Sequence, residues 1–329
     1  MTERRCDRQP PCTINRLVPA VVPSADVWAV VVLYRPETEA VRAQFAALRP
    51  QVAGAIYCDN GGGQEVLARL GLLSQPGIHC LGDGQNRGIA EAINQGLELA
   101  TSFSGSFALL LDQDSVPSEQ MVERLQAMHR CASAAGMKVA ALGPSVFDVL
   151  HGKLEGFGQA VSRKKRRFSP GVGLENEPID LYYLITSGTL IHLPALAEIG
   201  PMDASLFIDS VDFEWSFRAR AKGYRLLGTY GACLQHRRGD RLHRPLPGVA
   251  IRLHSTQRLL YIFRNHFRLC FRRYMPARWK LMGLWYLLVR ATLFALFVPH
   301  RVANLGAMLR GTLQGIREGA TERARNPGR

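Results

Sequence analysis

The stretch Phe107-Ala108-Leu109-Leu110-Leu111-Asp112-Gln113-Asp114-Ser115 constrains this chain more than any other. An unbroken apolar run, cut off by two carboxylates one residue apart, reads as a strand buried on both faces with charge at its carboxyl end. Periodicity alone also admits a helical segment. Pro117, followed by Glu119, Met121, Val122 and Leu125, opens a helix. Asp112 and Asp114 therefore stand at the carboxyl end of a central strand, where open α/β sheets bind ligands. Residues i and i+2 of an extended segment point the same way, so the pair offers hard oxygens to a divalent cation of the kind that bridges phosphates. An isolated D-x-D is more often a solvated turn, and the weight here comes from its surroundings.

Upstream, strand and helix alternate. Trp28-Ala29-Val30-Val31-Val32-Leu33-Tyr34 is a buried first strand, and a helix runs from Pro36-Glu37 to about Arg49 with Val41, Phe45 and Leu48 on one face. Gly54–Cys58 is a second strand ending in Asp59-Asn60-Gly61-Gly62-Gly63. A helix through Leu73 and a short strand around Ile78–Leu81 lead to Gly84-Gln85-Asn86-Arg87-Gly88, which opens a helix carrying Ile93, Leu97 and Ala100. This alternation predicts a parallel, doubly wound sheet. Three loops at strand carboxyl ends then carry polar or glycine-rich residues, which together suggest a nucleotide cradle. No G-x-G-x-x-G follows the first strand and no G-x-x-x-x-G-K-[ST] is present, which argues against an ordinary NAD site and a P-loop.

The second half differs. Val139–Gly143 is a fifth strand, Asp148 to Pro178 reads as a loop, Leu181 to Thr186 as a strand running into Ser187-Gly188, and Pro194 to Ile199 as a short helix. In Leu206–Arg220, Glu214 and Arg218 have the spacing of a helical ion pair, and Asp209 and Asp212 fall at that helix's start, where a carboxylate also serves as a cap. Gly223 ends the helix, and a strand through Cys233 and Leu234 delivers His236, a plausible third metal ligand downstream of two acidic clusters.

Composition narrows the partners. The net charge is +14, with basic residues concentrated in Arg163-Lys164-Lys165-Arg166-Arg167 and after Arg237. That balance suits phosphate-rich substrates, an anionic membrane surface or nucleic acid. Without zinc-finger spacing, an aromatic RNA-binding signature or a basic repeat, nucleic acid ranks last, and none is expected as a partner. Seven scattered cysteines with no C-x-x-C favour a reduced, cytoplasmic setting. Residues 1–26 are rich in Arg and Pro and lack a long apolar run, so they read as a disordered tail rather than a secretory signal.

Taken together, Asp59-Asn60, Asn86-Arg87-Gly88-Ile89-Ala90, Asp112-Gln113-Asp114-Ser115, Ser187-Gly188, Asp209-Ser210-Val211-Asp212-Phe213-Glu214-Trp215, Arg218 with Gly223-Tyr224, and His236 resemble the inverting GT-A glycosyltransferases of family 2, and most closely their rhamnosyltransferase branch. The resemblance spans Trp28 to about Arg244, about two thirds of the chain. It implies an α/β GT-A fold, Rossmann-like, with a mostly parallel sheet between helices. It further implies metal-dependent transfer of L-rhamnose from dTDP-L-rhamnose to a lipid-linked or cell-surface glycan, as in O-antigen or polysaccharide biosynthesis. Asp59, Asn60, Asn86, Arg87, Asp112 and Gln113 would line the nucleotide-sugar site, and Asp112, Asp114 and His236 would hold Mg²⁺ or Mn²⁺. Asp212, six residues before Arg218, matches the general base. Val211 departs from the family's pattern by replacing an acidic residue, which keeps Asp209 open as the base. Glu214, Trp215 and Arg218 would shape the acceptor pocket, although Trp215 reads equally well as a core anchor.

Beyond Pro247 the chain turns helical. Leu253–Phe271 interleaves leucines with arginines, and its Arg258, Tyr261 and Arg264-Asn265 also resemble the rhamnosyltransferase branch. Leu281–Val298 nearly reaches transmembrane length but carries a central Arg290. Basic flanks, Trp279 and Trp285 favour a helix lying on the inner face of the cell membrane over a span, with a helical lid as the plain alternative. Val302–Arg317 is a last helix before a charged tail. The expected organisation is thus a tail over 1–26, a GT-A catalytic domain over 27–245 and a membrane-associating helical region over 246–329. Three further functions stay open: transfer from another UDP- or GDP-sugar, a nucleotidyltransferase (whose Gly-rich basic loop Tyr34-Arg35-Pro36-Glu37 lacks), and a non-catalytic membrane-bound scaffold.

Overall fold

The apolar runs become strands that share a direction, and that brings their polar ends together. The computed structural model describes residues 24–149, 152–157, 161, 177–236, 242–246 and 249–325. The basic run at 163–167, Arg237 and Arg238, and residues 1–23 of the expected tail lie outside the described residues. Ser24, Ala25 and Asp26, also expected in the tail, instead begin the first strand.

The alternating half folds as β1 (Ser24–Leu33), α1 (Thr38–Leu48), β2 (Val52–Asp59), α2 (Gly63–Arg69), β3 (Ile78–Leu81), α3 (Ile89–Ser102) and β4 (Phe107–Asp112). The strands β3, β2, β1 and β4 lie side by side in parallel. Alternate side chains pack on opposite faces. Val30, Ile56 and Leu110 join one core, while Val31, Tyr57, Leu109 and Leu111 join the other. Both faces are covered, which is why these strands are apolar throughout rather than alternating. Each fully buried Val or Leu contributes about 1.5–3 kcal/mol.

The second half breaks the parallel rule. It comprises β5 (Ser115–Pro117), α4 (Met121–Ala134), β6 (Val139–Asp148), β7 (Lys153–Glu155), β8 (Ile179–Asp180), β9 (Leu190–His192), α5 (Leu193–Ile199), α6 (Val211–Ala221) and β10 (Arg225–His236). The sheet order is β3-β2-β1-β4-β9-β6-β10-β5, with β9 antiparallel to both neighbours and β5 antiparallel to β10. The sheet is mixed, and its long strands β4, β6 and β10 still point the same way. The loop expected from Asp148 contains β7, paired with β6. The strand expected at Leu181–Thr186 is irregular. The chain pairs with β10 through β8 and the Leu181 amide and then leaves the sheet, carrying Tyr182 and Tyr183 toward a cavity and Ser187 beneath Asp112.

The chain continues as a hairpin, β11 (Leu242–Leu246) and β12 (Val249–Arg252), which straddles the boundary expected at 245, and then as α7 (Thr256–Cys270), α8 (Ala277–Phe297) and α9 (Arg301–Arg325). Helix α9 runs past Arg317 and takes in the expected charged tail as far as Arg325. Gly311, Gly315 and Gly319 face α7. A Cβ would come within 2.3 Å of the Leu260 carbonyl at Gly311 and within 2.2 Å of the Arg264 carbonyl at Gly315. Glycines one turn apart thus let the two backbones touch. The end of α9 is then held by Glu318 and Glu322 against Arg268, with Glu322 also reaching Arg272.

Candidate active site

Because β4 and β10 run in the same direction, Asp112 and His236 end on the same edge of the sheet. After Asp114 the chain reverses into β5, which pairs Ser115 with His236. One carboxylate oxygen each from Asp112 and Asp114 and a ring nitrogen of His236 lie within 4.8 Å of one another. A buried polar chain holds this trio. The Asp112 amide donates to Ser187 Oγ (3.1 Å), Ser187 Oγ meets Ser115 Oγ (2.7 Å), and Ser115 Oγ meets His236 Nδ1 (2.7 Å). Beneath them, Gln44 Nε2 donates to the carbonyls of Asp112 (2.6 Å) and Ser115 (2.9 Å). Burial pushes the Asp112 carboxyl above its usual range, and the charge of Asp114 adds to this against the pull of His236 and Arg258. Two crowded carboxylates and an imidazole form a donor set of suitable chemistry and spacing for Mg²⁺ or Mn²⁺.

The neighbouring loops are built mainly from their own polar side chains. Asp59 accepts the amides of Gly61 (2.9 Å), Gly63 (2.7 Å) and Gln64 (2.9 Å), so it closes the start of α2. Burial alone would raise its pKa, but these three amides outweigh it and hold the carboxyl below its usual range. Asn60 bonds Asn86 through Nδ2 (3.1 Å) and accepts the Arg87 amide (2.8 Å), tying two of the three loops together. The Arg87 guanidinium reaches Asp83 in solvent. Gln113 clamps Tyr34 at the end of β1, accepting its amide (2.7 Å) and donating to its carbonyl (3.1 Å). The backbone of all three loops therefore borders one edge, with Asp59, Asn60 and Gln113 shaping it.

Asp209 and Asp212 flank the start of α6 in a strained turn. Phe207, Asp209 and Ser210 all have positive φ (65°, 62° and 65°), which non-glycine residues rarely adopt. Helix α7 holds the turn in place. The Asn265 amide nitrogen lies 2.9 Å, 2.7 Å and 2.9 Å from the carbonyls of Leu206, Ile208 and Asp209. Arg258 grips the Asp209 carboxylate at both oxygens (2.9 and 3.0 Å). Among the described residues no cation pairs with Asp212 in this way. Burial lifts its pKa to about 7, the nearby charges of Asp209 and Asp112 add to this, and the Phe213 amide opposes it.

Glu214, Trp215 and Arg218, expected to shape the acceptor pocket, make their hydrogen bonds in the corner where α5 ends. Glu214 is wholly buried and takes the Arg218 guanidinium at both oxygens (2.9 Å each) together with the Tyr274 hydroxyl. Arg218 also donates to the carbonyls of Ile199 (2.8 Å) and Pro201 (2.6 Å), just where α5 ends. The Trp215 indole donates to Gly200 (3.0 Å) in the same corner. These residues join α5, α6 and the α7–α8 turn. Glu214→Ala would leave two half-buried partners without their buried carboxylate and should cost about 3 kcal/mol, measured by chemical denaturation, while Glu214→Gln should cost less.

No protein-family model matches the chain. Over 302 residues, 89% of this chain and 96% of the relative, it is 26% identical to the dTDP-rhamnosyl transferase RfbF of Shigella flexneri. Its fold matches GalNAc-T7 with UDP, GalNAc and Mn²⁺ at a TM-score of 0.54 and 14% identity, covering 90% of this chain and 61% of that one. It matches S. aureus TarS 1–349 at a TM-score of 0.52 and 13% identity, covering 92% of each. The chain has the GT-A glycosyltransferase fold. The sequence pattern predicts no role for the polar scaffold of Gln44, Ser115 and Ser187, nor for Asn265 and Arg258. The available signal for Gln44 was a lone amide on the apolar face of α1, beside Val41 and Leu48.

Proposed function

We propose that this glycosyltransferase moves L-rhamnose from dTDP-L-rhamnose onto a lipid-linked or cell-surface glycan precursor, with inversion at the anomeric carbon. The observation that carries the reading is the Asp112, Asp114 and His236 trio on the sheet edge beside a carboxylate, Asp212, that burial has made basic. The likeness to a dTDP-rhamnosyl transferase over most of both chains supports the choice of sugar. Asp112, Asp114 and His236 would hold Mg²⁺ or Mn²⁺. When bound, the ion supplies positive charge for the departing nucleoside diphosphate. The loops of Asp59, Asn60, Asn86 and Arg87 would seat the nucleotide. Asp212 would take the proton of the acceptor hydroxyl as its oxygen attacks the sugar from the face opposite the leaving group. Asp209, held by Arg258, serves as a wall of the acceptor side rather than as the base.

The helical region would rest on the inner, anionic membrane surface. Helix α8 is long and apolar enough to cross a membrane, with a mean hydropathy of 1.5, yet its Arg290 lies on the inward stripe with Leu287 and Phe294. Leu281, Trp285 and Leu288 of α8 and Val302, Leu309 and Leu313 of α9 are exposed, and Arg301, Arg310 and Arg317 accompany them. Exposed apolar side chains beside arginines suit an anionic interface.

Thermal unfolding with nucleoside diphosphates tests the donor assignment, because a ligand that binds only the native state raises its midpoint. Stabilisation by dTDP with Mg²⁺ or Mn²⁺, exceeding that by UDP or GDP, is expected. A preference for UDP or GDP would retain the transferase and discard rhamnose. Absence of a shift with every nucleotide would point to a scaffold.

A further inference from the structure

A cavity of about 760 Å³ lies between α6 and the α7–α8 pair, and the donor site does not use it. Its volume is ample for a small-molecule ligand. Tyr182, Tyr183, Phe213, Phe217, Trp279 and Tyr286 contribute to its wall, a surface suited to sugar rings and isoprenoid chains. Asp209 and Ser210 also line it, so it adjoins the carboxylates at the start of α6.

Arg290 gives the cavity its sign. It is only 8% exposed, it lines the cavity, and among the described residues Nη1 has no hydrogen-bond partner. Its other contacts are with Tyr286, through the hydroxyl and through the ring face 4.8 Å away. Among the described residues no carboxylate pairs with it. A buried guanidinium without an anion is costly, and an anionic ligand would remove that cost. Arg278 also lines the cavity, from an exposed position, and no described carboxylate pairs with it either. Asp209, the acidic group in the wall, is already neutralised by Arg258. Met282 and Tyr286 both line the cavity and show on the exposed apolar face of α8 (59% and 53% exposed), so the wall continues outward into an apolar surface.

We propose that this cavity is the acceptor site and that it recognises an amphiphilic diphosphate, an isoprenoid diphosphate carrying the acceptor sugar. Arg290 and Arg278 bind the diphosphate, the aromatic wall takes the sugar next to Asp209 and Asp212, and the lipid leaves along Met282 and Tyr286. The inference rests on the reading of the sheet edge as the donor site. Guanidinium groups match phosphate oxygens in geometry and stay charged, and the aromatic wall adds a requirement for apolar surface.

The test is calorimetric titration of the full chain, free of nucleotide and divalent cation, with farnesyl diphosphate, farnesol and inorganic pyrophosphate. Farnesyl diphosphate should bind more tightly than either half alone. Arg290→Gln should weaken it at least tenfold, with the metal-dependent shift by dTDP unchanged. Arg278→Gln, at an exposed position that leaves the fold alone, should weaken it several-fold and covers the case in which the buried variant does not fold. Equal affinity in wild type and both variants would overturn the proposal. So would farnesol binding as tightly as the diphosphate, or displacement of farnesyl diphosphate by dTDP. Vesicles of phosphatidylglycerol distinguish a membrane headgroup from a lipid-linked diphosphate. If the variants lose vesicle binding while farnesyl diphosphate binds neither them nor wild type, the cavity reads headgroups and the proposal fails. Nucleotide preference is measured separately, so an error in the donor assignment leaves this result standing.

Discussion

Replacing Asp212 by asparagine is expected to slow transfer about a thousand-fold, within the range by which a positioned base accelerates proton transfer, while leaving the fold intact. Asparagine keeps the shape and the bond from the Phe213 amide (2.9 Å) but cannot accept the acceptor's proton. The pH profile carries a sharper signature. Asp212 has a pKa of about 7, raised first by burial and then by the charges of Asp209 and Asp112. Protonation removes the base, so activity is lost as pH falls through that value and is full above it. Wild-type kcat/KM should therefore drop roughly tenfold per pH unit on the acid side, and this limb should vanish in Asp212→Asn. If Asp209→Asn instead removed the limb, the base would be Asp209, and the bidentate grip of Arg258 on it would have to open during turnover.

Asp114→Ala is expected to have the other large effect. Asp114 is partly exposed, and among the described residues its ion-pair distance is a long 3.9 Å, to His236 Nδ1, so little of the fold depends on it. Removing it leaves only two of the three groups that would hold a cation. A cation at a phosphoryl group stabilises the leaving charge by several kcal/mol, which corresponds to a rate loss of about a thousand-fold or more. Steady-state transfer assays should show this loss, and thermal unfolding should show that stabilisation by dTDP with Mn²⁺ disappears while the ligand-free midpoint stays near wild type. Retained activity would remove Asp114 from the machinery.

The site was legible where chemistry sits at the end of a local pattern. An apolar run that stops at Asp112 and Asp114 marks a strand end, and Asp59 and Asn86-Arg87-Gly88 mark two more. Glu214 and Arg218 show the limit of that reasoning. Their spacing correctly indicates an ion pair on a helix, but whether the pair faces a pocket or the interior depends on which side of α6 meets α5 and Tyr274. Sequence periodicity along α6 could not decide this, because the helix is buried on more than one side, with Val211, Glu214, Trp215 and Phe217 all inside. Similarly, Arg290 looked like an obstacle to a membrane helix, and the fold turns it inward to line a cavity.

By itself the sequence determined the strand–helix alternation, the polar strand ends and the helical character after Pro247, because each follows from the local match of side chains to a backbone period. Only the tertiary structure decided the antiparallel insertion of β9, the joining of Ser115 to His236 across the sheet, the grip of Asn265 and Arg258 on the turn before Asp212, and the packing of Gly311 and Gly315 against α7. Those arrangements link residues far apart in the chain. Their free energy comes from burial and from satisfying polar groups between elements, and neither exists until the elements have met.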